Sequence, residues 1–304
     1  MPTQATVRTL ILFALLAVGG FHGCSPKAYI ISQVGAVFEN AGEQYQSEND
    51  PQLVREAFPF NLKTLDILAA SSPNNRNILS IAAASYTMYT YAFILEDADR
   101  MIDEDYSDGV ALYDRALNLF SRGKQYGTGA LTLTYPDFES WRKNHTEAAS
   151  FTSADIYDLY WLAAATAGSI SASRGNPRYL VELPDVGWLL EQAMRLDPDW
   201  NKGALYTAMI SYTMKRPDAP LDADTIAEDY FNKAVTLSKG NDCAPYLALA
   251  ESVCVQRQEK ERFVTLLNQA LAVDIDADTN LRLANVLAQD RARWLLTKLD
   301  ELFY

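Results

Sequence analysis

The side chains of this sequence that could do chemistry are few, and histidines are the scarcest. The sequence contains two, and we expect His22 to be removed with an export signal. His145 is then the single candidate for the general base of a Ser-His-Asp arrangement, and zinc sites with several histidines are excluded. No G-x-S-x-G motif supplies a nucleophile. We predict a solvent-exposed loop histidine and no catalytic residue, with an enzyme as the third alternative.

Two other stretches carry residue types that bind ions or phosphates. Oxygen ligands suit Ca²⁺, and six carboxylates crowd one helix end without the spacing of an EF-hand, namely Asp97, Asp99, Asp103, Glu104, Asp105 and Asp108. The motif Gly123-Lys124-x-x-Gly127-x-Gly129 fits neither the P-loop nor the dinucleotide spacing. We predict a solvated acidic surface, no metal site and no cofactor.

Aromatic residues form two sets, each on one predicted helix. The first set is Tyr86, Tyr89 and Phe93, and the second is Tyr157, Tyr160 and Trp161. Both sets are candidates for lining an apolar ligand pocket or the channel of a trimer. The alternative is packing in the protein core, which is the commoner use of such residues.

The last predicted helix carries a further candidate pair. Arg291 and Trp294 lie three residues apart, beside the apolar face of that helix. A guanidinium group there would either bond the carbonyl groups of a neighbouring helix or reach an acidic ligand. We therefore count Arg291 and Trp294 among the candidate ligand-lining residues.

The elements that must position these residues are helices. Helix-favouring residues dominate, and no sustained apolar/polar alternation or hairpin motif indicates a strand. We predict an all-α fold of stacked antiparallel helix pairs with about eleven helices, at residues 27–45, 51–72, 77–103, 107–123 or beyond, 136–143, 153–174, 184–196, 202–215, 225–237, 245–255, 260–273 and from 276 or 278 to 302.

Three segments of these helices each support a specific structural prediction. Residues 78–95 contain no charge, which suits either a membrane span or a core helix; serines, threonines and tyrosines inside the stretch favour the core. The glycines of residues 123–129 predict a looser segment. Thr225-x-x-Glu228 matches a capping box that would begin a helix.

The first 24 residues are typical of an export signal. Arg8 precedes an apolar run, residues 10–18, which is too short to span a bilayer unaided. Gly23-Cys24 resembles a bacterial lipobox, although Phe21 and His22 depart from that pattern. We predict a lipoprotein signal peptide over residues 1–23, lipidation of Cys24 and a single domain over residues 24–304. A plain signal peptide is the alternative.

Composition and charge restrict the partners. The chain has 304 residues, of which 49% are hydrophobic and 21% charged, as in globular proteins. Its net charge of -13 repels phosphate groups, and no basic cluster offsets this repulsion. Nucleic acid and bare anionic lipid are therefore poor partners.

Several helical segments share a repeated pattern. LLEQAMRLDPDW, YFNKAVTLSKGN and LLNQALAVDIDA each place an alanine before an apolar residue, and YDRALNLFSRG is a possible fourth copy; the alanines are Ala193, Ala234, Ala270 and Ala116. Ala234 and Ala270 lie 36 residues apart, near the roughly 34 residues of a tetratricopeptide unit. The pattern predicts degenerate tetratricopeptide-like repeats, and an irregular helical bundle is the alternative.

Longer segments resemble one known family. They are LKTLDILAASSPNNRN (residues 62–77), ALYDRALNLFSRGKQY (111–126), LLEQAMRLDPDW (189–200) and the tail NLRLANVLAQDRARWLLTKLDELF (280–303). On these segments the chain resembles the T-component lipoproteins of tetratricopeptide-repeat-associated TRAP transporters, often called TatT. The likeness is spread over most of the mature chain, and the tail is its most specific part.

The resemblance implies a non-enzymatic protein. Such proteins are all-α lipoproteins of the periplasmic face that form homotrimers. The resemblance further implies binding to the extracytoplasmic solute-binding protein of an ion-driven transporter for small organic acids or hydrophobic ligands. We expect a lipid-anchored protein on the periplasmic face of the bacterial outer membrane. The alternative function is a carrier or pore protein that holds an apolar ligand in an aromatic-lined helical cavity.

Overall fold

A computed structural model describes residues 44–146 and 150–304 of the chain. Within these residues the fold is all-α and contains no strand, which confirms the predicted fold class. The predictions for the signal peptide, for Cys24 and for most of a helix over residues 27–45 lie outside the described residues. The proposed single-domain division over residues 24–304 stays a prediction.

Thirteen helices are described, where the sequence predicted about eleven for the whole chain. They are α1 (Pro51–Ser71), α2 (Arg76–Glu104), α3 (Tyr106–Thr134), α4 (Phe138–Lys143), α5 (Ile156–Ala172), α6 (Pro177–Leu180), α7 (Leu183–Leu196), α8 (Trp200–Lys215), α9 (Ala223–Leu237), α10 (244–257), α11 (Lys260–Leu271), α12 (Arg282–Thr297) and α13 (Leu299–Leu302). The helix α2 contains a π-helical segment, Thr90–Leu95, and α10 contains another, Ala250–Cys254.

Helices that are close in the sequence pack against one another along the chain. The helix α2 packs on α3, α3 on α5, and α5 on α7, while α8 packs on α9 and α10 on α11. The helix α12 packs on α11 and also contacts α1. The last long helix therefore returns to the first, and the order of contacts closes on itself.

The alanines of the repeated sequence pattern are buried at helix contacts. Ala116, Ala193, Ala234 and Ala270 are each at most 1% exposed. Small side chains let helices approach closely, which explains an alanine at these positions. The tetratricopeptide-like repeat itself stays a prediction.

The glycines of residues 123–129 lie inside α3, so the prediction of a looser segment was wrong. A Cβ atom on Gly123 would lie 2.7 Å from Oγ1 of Thr87, and one on Gly127 would lie 3.3 Å from Cβ of Leu162. These glycines therefore let α2 and α5 approach α3. The contact that requires them is not visible in the sequence.

The predicted capping box of Thr225 and Glu228 does not form. The helix α9 begins earlier, at Ala223, whose side chain is buried, and it has no side-chain cap hydrogen bond. Glu228 instead forms an ion pair with Arg262 of α11. Glu228 therefore serves a contact between helices and does not cap α9.

The uncharged stretch of residues 78–95 lies within α2. By length and composition, α2 is the one helix of the described residues that could cross a membrane, with a window of mean hydropathy 1.4. However, 72% of that window is buried against the rest of the protein. The structure places this stretch in the core, as the sequence predicted.

A buried ion pair fixes the start of α2 to α5. Arg76 donates from Nη2 to Oδ1 of Asp155 at 2.5 Å and from Nε to Oδ2 of Asp158 at 2.9 Å. Asp155 also accepts hydrogen bonds from the hydroxyl of Tyr135 at 2.5 Å and from the backbone N–H of Thr152 at 2.7 Å. Burial alone would raise the pKa of Asp155, but these hydrogen bonds outweigh burial and hold it below its ordinary value.

Replacing Tyr135 by phenylalanine tests this arrangement through its pH dependence. A carboxyl group with a lowered pKa stabilises the fold above its unfolded value of about 3.9, and this contribution is lost as the pH falls through the folded value. We expect Tyr135→Phe to lower the free energy of unfolding by about 1.5–3 kcal/mol at pH 7. The difference from the unmodified protein should shrink below about pH 4.

Urea denaturation between pH 3 and pH 8 measures both free energies. Tyr304→Phe removes a hydroxyl from a fully exposed side chain and serves as the control. A loss for Tyr135→Phe that stayed constant across this range would contradict the assignment to Asp155.

Gly168→Ala tests the close approach of α3 and α5. A Cβ atom on Gly168 would lie 2.4 Å from Cε1 of Phe120, whose side chain is fully buried. We expect the free energy of unfolding to fall by about 1–3 kcal/mol, because an overpacked core must shift. Gly129→Ala is the control, since its Cβ would meet Cδ1 of Leu79 at 3.4 Å. Equal losses in urea denaturation of the two variants would argue against this explanation.

Candidate functional site

Arg291 of α12 lies at the centre of the largest cluster of charged side chains that we find in the described residues. Its Nε and Nη2 atoms donate to the two carboxylate oxygens of Glu251 at 2.9 and 2.6 Å. Its Nη1 atom donates to Oε1 of Glu96 at 2.7 Å and to Oδ2 of Asp99 at 3.0 Å. One guanidinium group thereby joins α2, α10 and α12.

Burial and ion pairing shift the pKa values of this cluster in opposite directions. Burial would lower the pKa of Arg291, but the carboxylates of Glu251, Glu96 and Asp99 raise it well above its ordinary value. Burial raises the pKa of Glu96, although Arg291 opposes that change. Arg291 therefore stays charged, and the pKa of Glu96 lies above its ordinary value.

The two π-helical segments lie at this cluster. Thr90–Leu95 immediately precedes Glu96, and Ala250–Cys254 contains Glu251. A π-helical turn inserts an extra residue and so rotates the residues that follow it, and such turns occur frequently at functional sites. The segments therefore help to set the direction in which the two carboxylates face Arg291.

Trp294, the other candidate of the last helix, lies beside the same cluster. Three cations lie over its ring, with the Cζ atoms of Arg291 and Arg100 at 5.6 and 5.7 Å and Nζ of Lys298 at 5.8 Å from the centroid. The structure thus brings the predicted pair Arg291 and Trp294 together. Their partners within the described residues are carboxylates and cations of this same chain.

The first aromatic set packs between α1, α2 and α3. Tyr86, Tyr89 and Phe93 are all buried. The hydroxyl of Tyr86 donates to Asp66 at 2.7 Å, the ring of Tyr89 stacks on Phe58 at 5.7 Å, and a guanidinium group lies 4.9 Å from the ring of Phe93. Burial, followed by the bond to Asp66, raises the pKa of Tyr86 to about 12.

The second aromatic set lies on α5. The ring of Trp161 lies 6.1 Å from that of Tyr157 and 5.1 Å from that of Tyr160, and Tyr160 also contacts Trp200 at 5.1 Å. Burial raises the pKa of Tyr160 to about 12. The indole N–H of Trp161 is buried without a hydrogen-bond partner in the described residues. The first set belongs to one packed cluster and Tyr160 to another, while Tyr157 is exposed to solvent.

His145 lies in the loop after α4, as predicted, and its side chain is 40% exposed. Its Nε2 atom lies 2.8 Å from Oδ1 of Asp185. Asp185 also accepts a hydrogen bond from Nη1 of Arg142 at 3.0 Å. The histidine is therefore part of a polar contact between this loop and α7.

The acidic stretch of residues 97–108 is largely used in contacts within the chain. Asp97 forms an ion pair with Arg55, Asp103 forms one with Lys298, and Asp105 caps the start of α3. Across the described residues no group of three or more metal-binding side chains is arranged to hold an ion. These pairings replace part of the solvated acidic surface that the sequence suggested.

The sequence analysis missed the ion pairs between α2 and α12. A signal for them exists, since carboxylates at positions 96, 99 and 103 and cations at 291 and 298 each recur at helical spacing. The analysis also missed a cleft of about 350 Å³ between α7, α8 and α9. Its lining includes Met194, Met209 and Tyr230 together with Arg195 and Arg216.

Fold and sites together define an all-helical protein whose charged and aromatic residues join distant helices. The family model of the TRAP transporter T-component matches residues 47–303, which is most of the chain. The chain therefore belongs to the TRAP transporter T-component family. It is also similar to an uncharacterized protein of Treponema pallidum (strain Nichols), with 25% identity over 269 residues that cover 85% of this chain and 82% of that protein.

Membership in this family has two direct consequences. The family is a transporter component, so it indicates a role in TRAP transport and association with a TRAP transport system. It also confirms the resemblance that the sequence segments suggested.

Replacing Arg291 by glutamine tests its role in joining the helices. The side chain is 21% exposed. We expect the free energy of unfolding to fall by about 2–4 kcal/mol, because the carboxylates of Glu96, Asp99 and Glu251 lose their shared cation. Arg293→Gln removes an exposed cation of the same helix and should change stability by less than about 0.5 kcal/mol. Similar urea denaturation curves for the two variants would count against the assignment.

Proposed function

We propose that this protein is the lipid-anchored T-component of a TRAP-type transport system, in which it binds the extracytoplasmic solute-binding protein and catalyses no reaction. The single observation that carries the proposal is the match of the family model to residues 47–303. In this role the protein assists the uptake of small organic or hydrophobic ligands by holding their binding protein near the membrane.

The helical fold and the negative net charge of the chain favour a protein as the partner. Stacked helices form extended surfaces that suit protein partners. The net charge of -13 makes phosphate-rich partners such as nucleic acid unfavourable. No step of the proposed role requires a cofactor or a metal ion.

We further propose that Cys24 carries the lipid anchor and that the protein lies on the periplasmic face of the outer membrane. The support is the export signal predicted over residues 1–23 and the Gly23-Cys24 pair. Several acyl chains on one cysteine hold a protein stably at a membrane. Mass measurement of the N-terminal peptide from membrane-purified protein shows whether Cys24 carries them.

We propose a homotrimer as the assembled form. On α1, Leu53, Phe60 and Ile67 are 54%, 75% and 65% exposed. They recur every seven residues, which is the spacing of helices that pack against helices of other chains. In the described residues this stripe is the apolar surface that best suits a contact between copies.

Affinity capture tests the proposed function. Residues 25–304, expressed without the lipid signal, serve as bait for an envelope extract of the source organism. We expect a TRAP solute-binding protein to be retained in stoichiometric amounts. Light scattering of the same bait should give the mass of three chains. A folded, helical bait that retains no such protein contradicts the binding role, and a monomer mass contradicts the trimer.

The carrier function is the second candidate, and the cleft of about 350 Å³ favours it. This volume lies within the range of small-molecule sites, and part of the lining is apolar. Organic extraction of the purified protein, followed by mass spectrometry, distinguishes the two functions. A ligand recovered in stoichiometric amounts without a captured protein would favour the carrier.

A further inference from the structure

The contact between α2 and the last two helices contains several pairs of charged side chains. We call the ion-paired surface between α2 and α12–α13 the seam. Three sets of contacts cross it, namely Arg291 with Glu96 and Asp99 at 2.7 and 3.0 Å, Arg100 with Asp290 at 2.8 Å, and Lys298 with Asp103 at 2.8 Å. These partners are 190 or more residues apart in the sequence.

The cations of the seam each have a second partner on their own side. Arg291 keeps both oxygens of Glu251, which belongs to α10 beside it. Lys298 lies 3.0 Å from Oε1 of Glu301, one turn further along. Arg100 lies 3.6 Å from Oε2 of Glu96 on its own helix. Separation of the two sides therefore leaves none of these cations without a carboxylate.

The carboxylates of the seam also keep a partner or are solvated when it separates, and Glu96 keeps Nη2 of Arg100 at 3.6 Å. Asp99 accepts a hydrogen bond from the hydroxyl of Tyr113 on α3 at 2.7 Å. Asp103 and Asp290 are 46% and 59% exposed, so water solvates them when the seam separates. Breaking a buried ion pair is costly mainly because it leaves a buried charge unpaired. That cost is small here.

The closed seam leaves two buried polar atoms without a hydrogen bond. Oε2 of Glu96 and Nε of Arg100 are buried without a hydrogen bond in the described residues, and Oε2 has only the ion pair with Nη2 of Arg100 at 3.6 Å. A partly satisfied polar network gains less than a fully satisfied one. The closed arrangement is therefore less favoured than its number of ion pairs suggests.

The two ends of the seam differ in their chemistry. Near the start of α12, Leu283 and Leu287 pack against the apolar cluster of α1, α2 and α3. In the same region Nη1 of Arg282 donates to the backbone carbonyl of Ser47 at 2.9 Å. The charged contacts lie further along, from Asp290 to Lys298. Apolar packing therefore holds one end, and ion pairs close the other.

We propose that the seam opens and closes as a conformational switch of this protein. The first two turns of α12 act as the hinge, and the separation is largest at α13. Salt favours the open form, because it screens the attraction in the two more exposed pairs, Arg100 with Asp290 and Lys298 with Asp103. Opening gives access to the faces of α2 and α12 that meet around Arg291.

Hydrogen exchange measured by mass spectrometry on the purified protein, without any partner, tests the switch. Peptides that cover residues 96–104 and 290–302 should exchange about tenfold faster in 1 M than in 0.01 M NaCl, as the charged contacts are screened. Exchange in α5 and in residues 282–287 should stay unchanged. Salt-independent exchange, or an equal increase in α5, would overturn the proposal.

A double variant removes two of the three sets of contacts across the seam, those of Asp290 and Asp103, and keeps the contacts on each side. Asp103→Asn with Asp290→Asn should give, in 0.01 M NaCl, the fast exchange that the unmodified protein shows only in 1 M NaCl. The matched control is Asp276→Asn with Asp300→Asn, since these exposed carboxylates pair within the C-terminal half, with Arg282 and Lys260. Fast exchange in the control, or none in the test variant, would refute the assignment. The outcome is independent of the capture of a solute-binding protein.

Discussion

Arg291 forms hydrogen bonds to carboxylates of two other helices at once, and the closure of the fold depends on this group. The bidentate contact with Glu251 fixes the guanidinium plane, which then directs Nη1 at Glu96 and Asp99. A lysine could not repeat this geometry, because an ammonium group lacks the planar fork. The contact joins helices whose residues are separated by up to 195 positions. The N-terminal and C-terminal helices thus meet at one charged centre, beside the apolar contacts of Leu283 and Leu287.

Most residues that the sequence suggested as candidates for chemistry or ligand binding instead hold helices together in the structure. Asp66 accepts hydrogen bonds from the hydroxyls of Tyr86 and Tyr126. Asp155 accepts hydrogen bonds from Arg76 and Tyr135. Asp185 contacts both Arg142 and His145. In each case one carboxylate lies between side chains of two different helices or loops. Such shared acceptors stabilise the contacts between helices, because each one satisfies several donors.

Membership in a family of transporter components indicates which properties these contacts need. The proposed role is recognition of another protein, which needs a stable surface. The proposed opening of the seam needs the opposite property, a contact that separates at low cost. The structure divides these tasks, since apolar clusters fill the helix pairs while paired charges join α2 to the last helices. Charges that have partners on both sides allow a change of arrangement without a buried unpaired charge.

The sequence by itself determined the helical class, most helix bounds and the family. Asp50-Pro51 marks the start of α1 because an aspartate caps and a proline fits the first turn. Local signals of this kind act over one or two turns, so they can be recognised in one sequence without the tertiary structure. Only the tertiary structure decided that the glycines at 123 and 127 belong inside a helix, that Glu228 pairs with Arg262 rather than caps, and that Arg291 faces three carboxylates. These outcomes depend on which helices become neighbours, and that is set by packing over the whole chain.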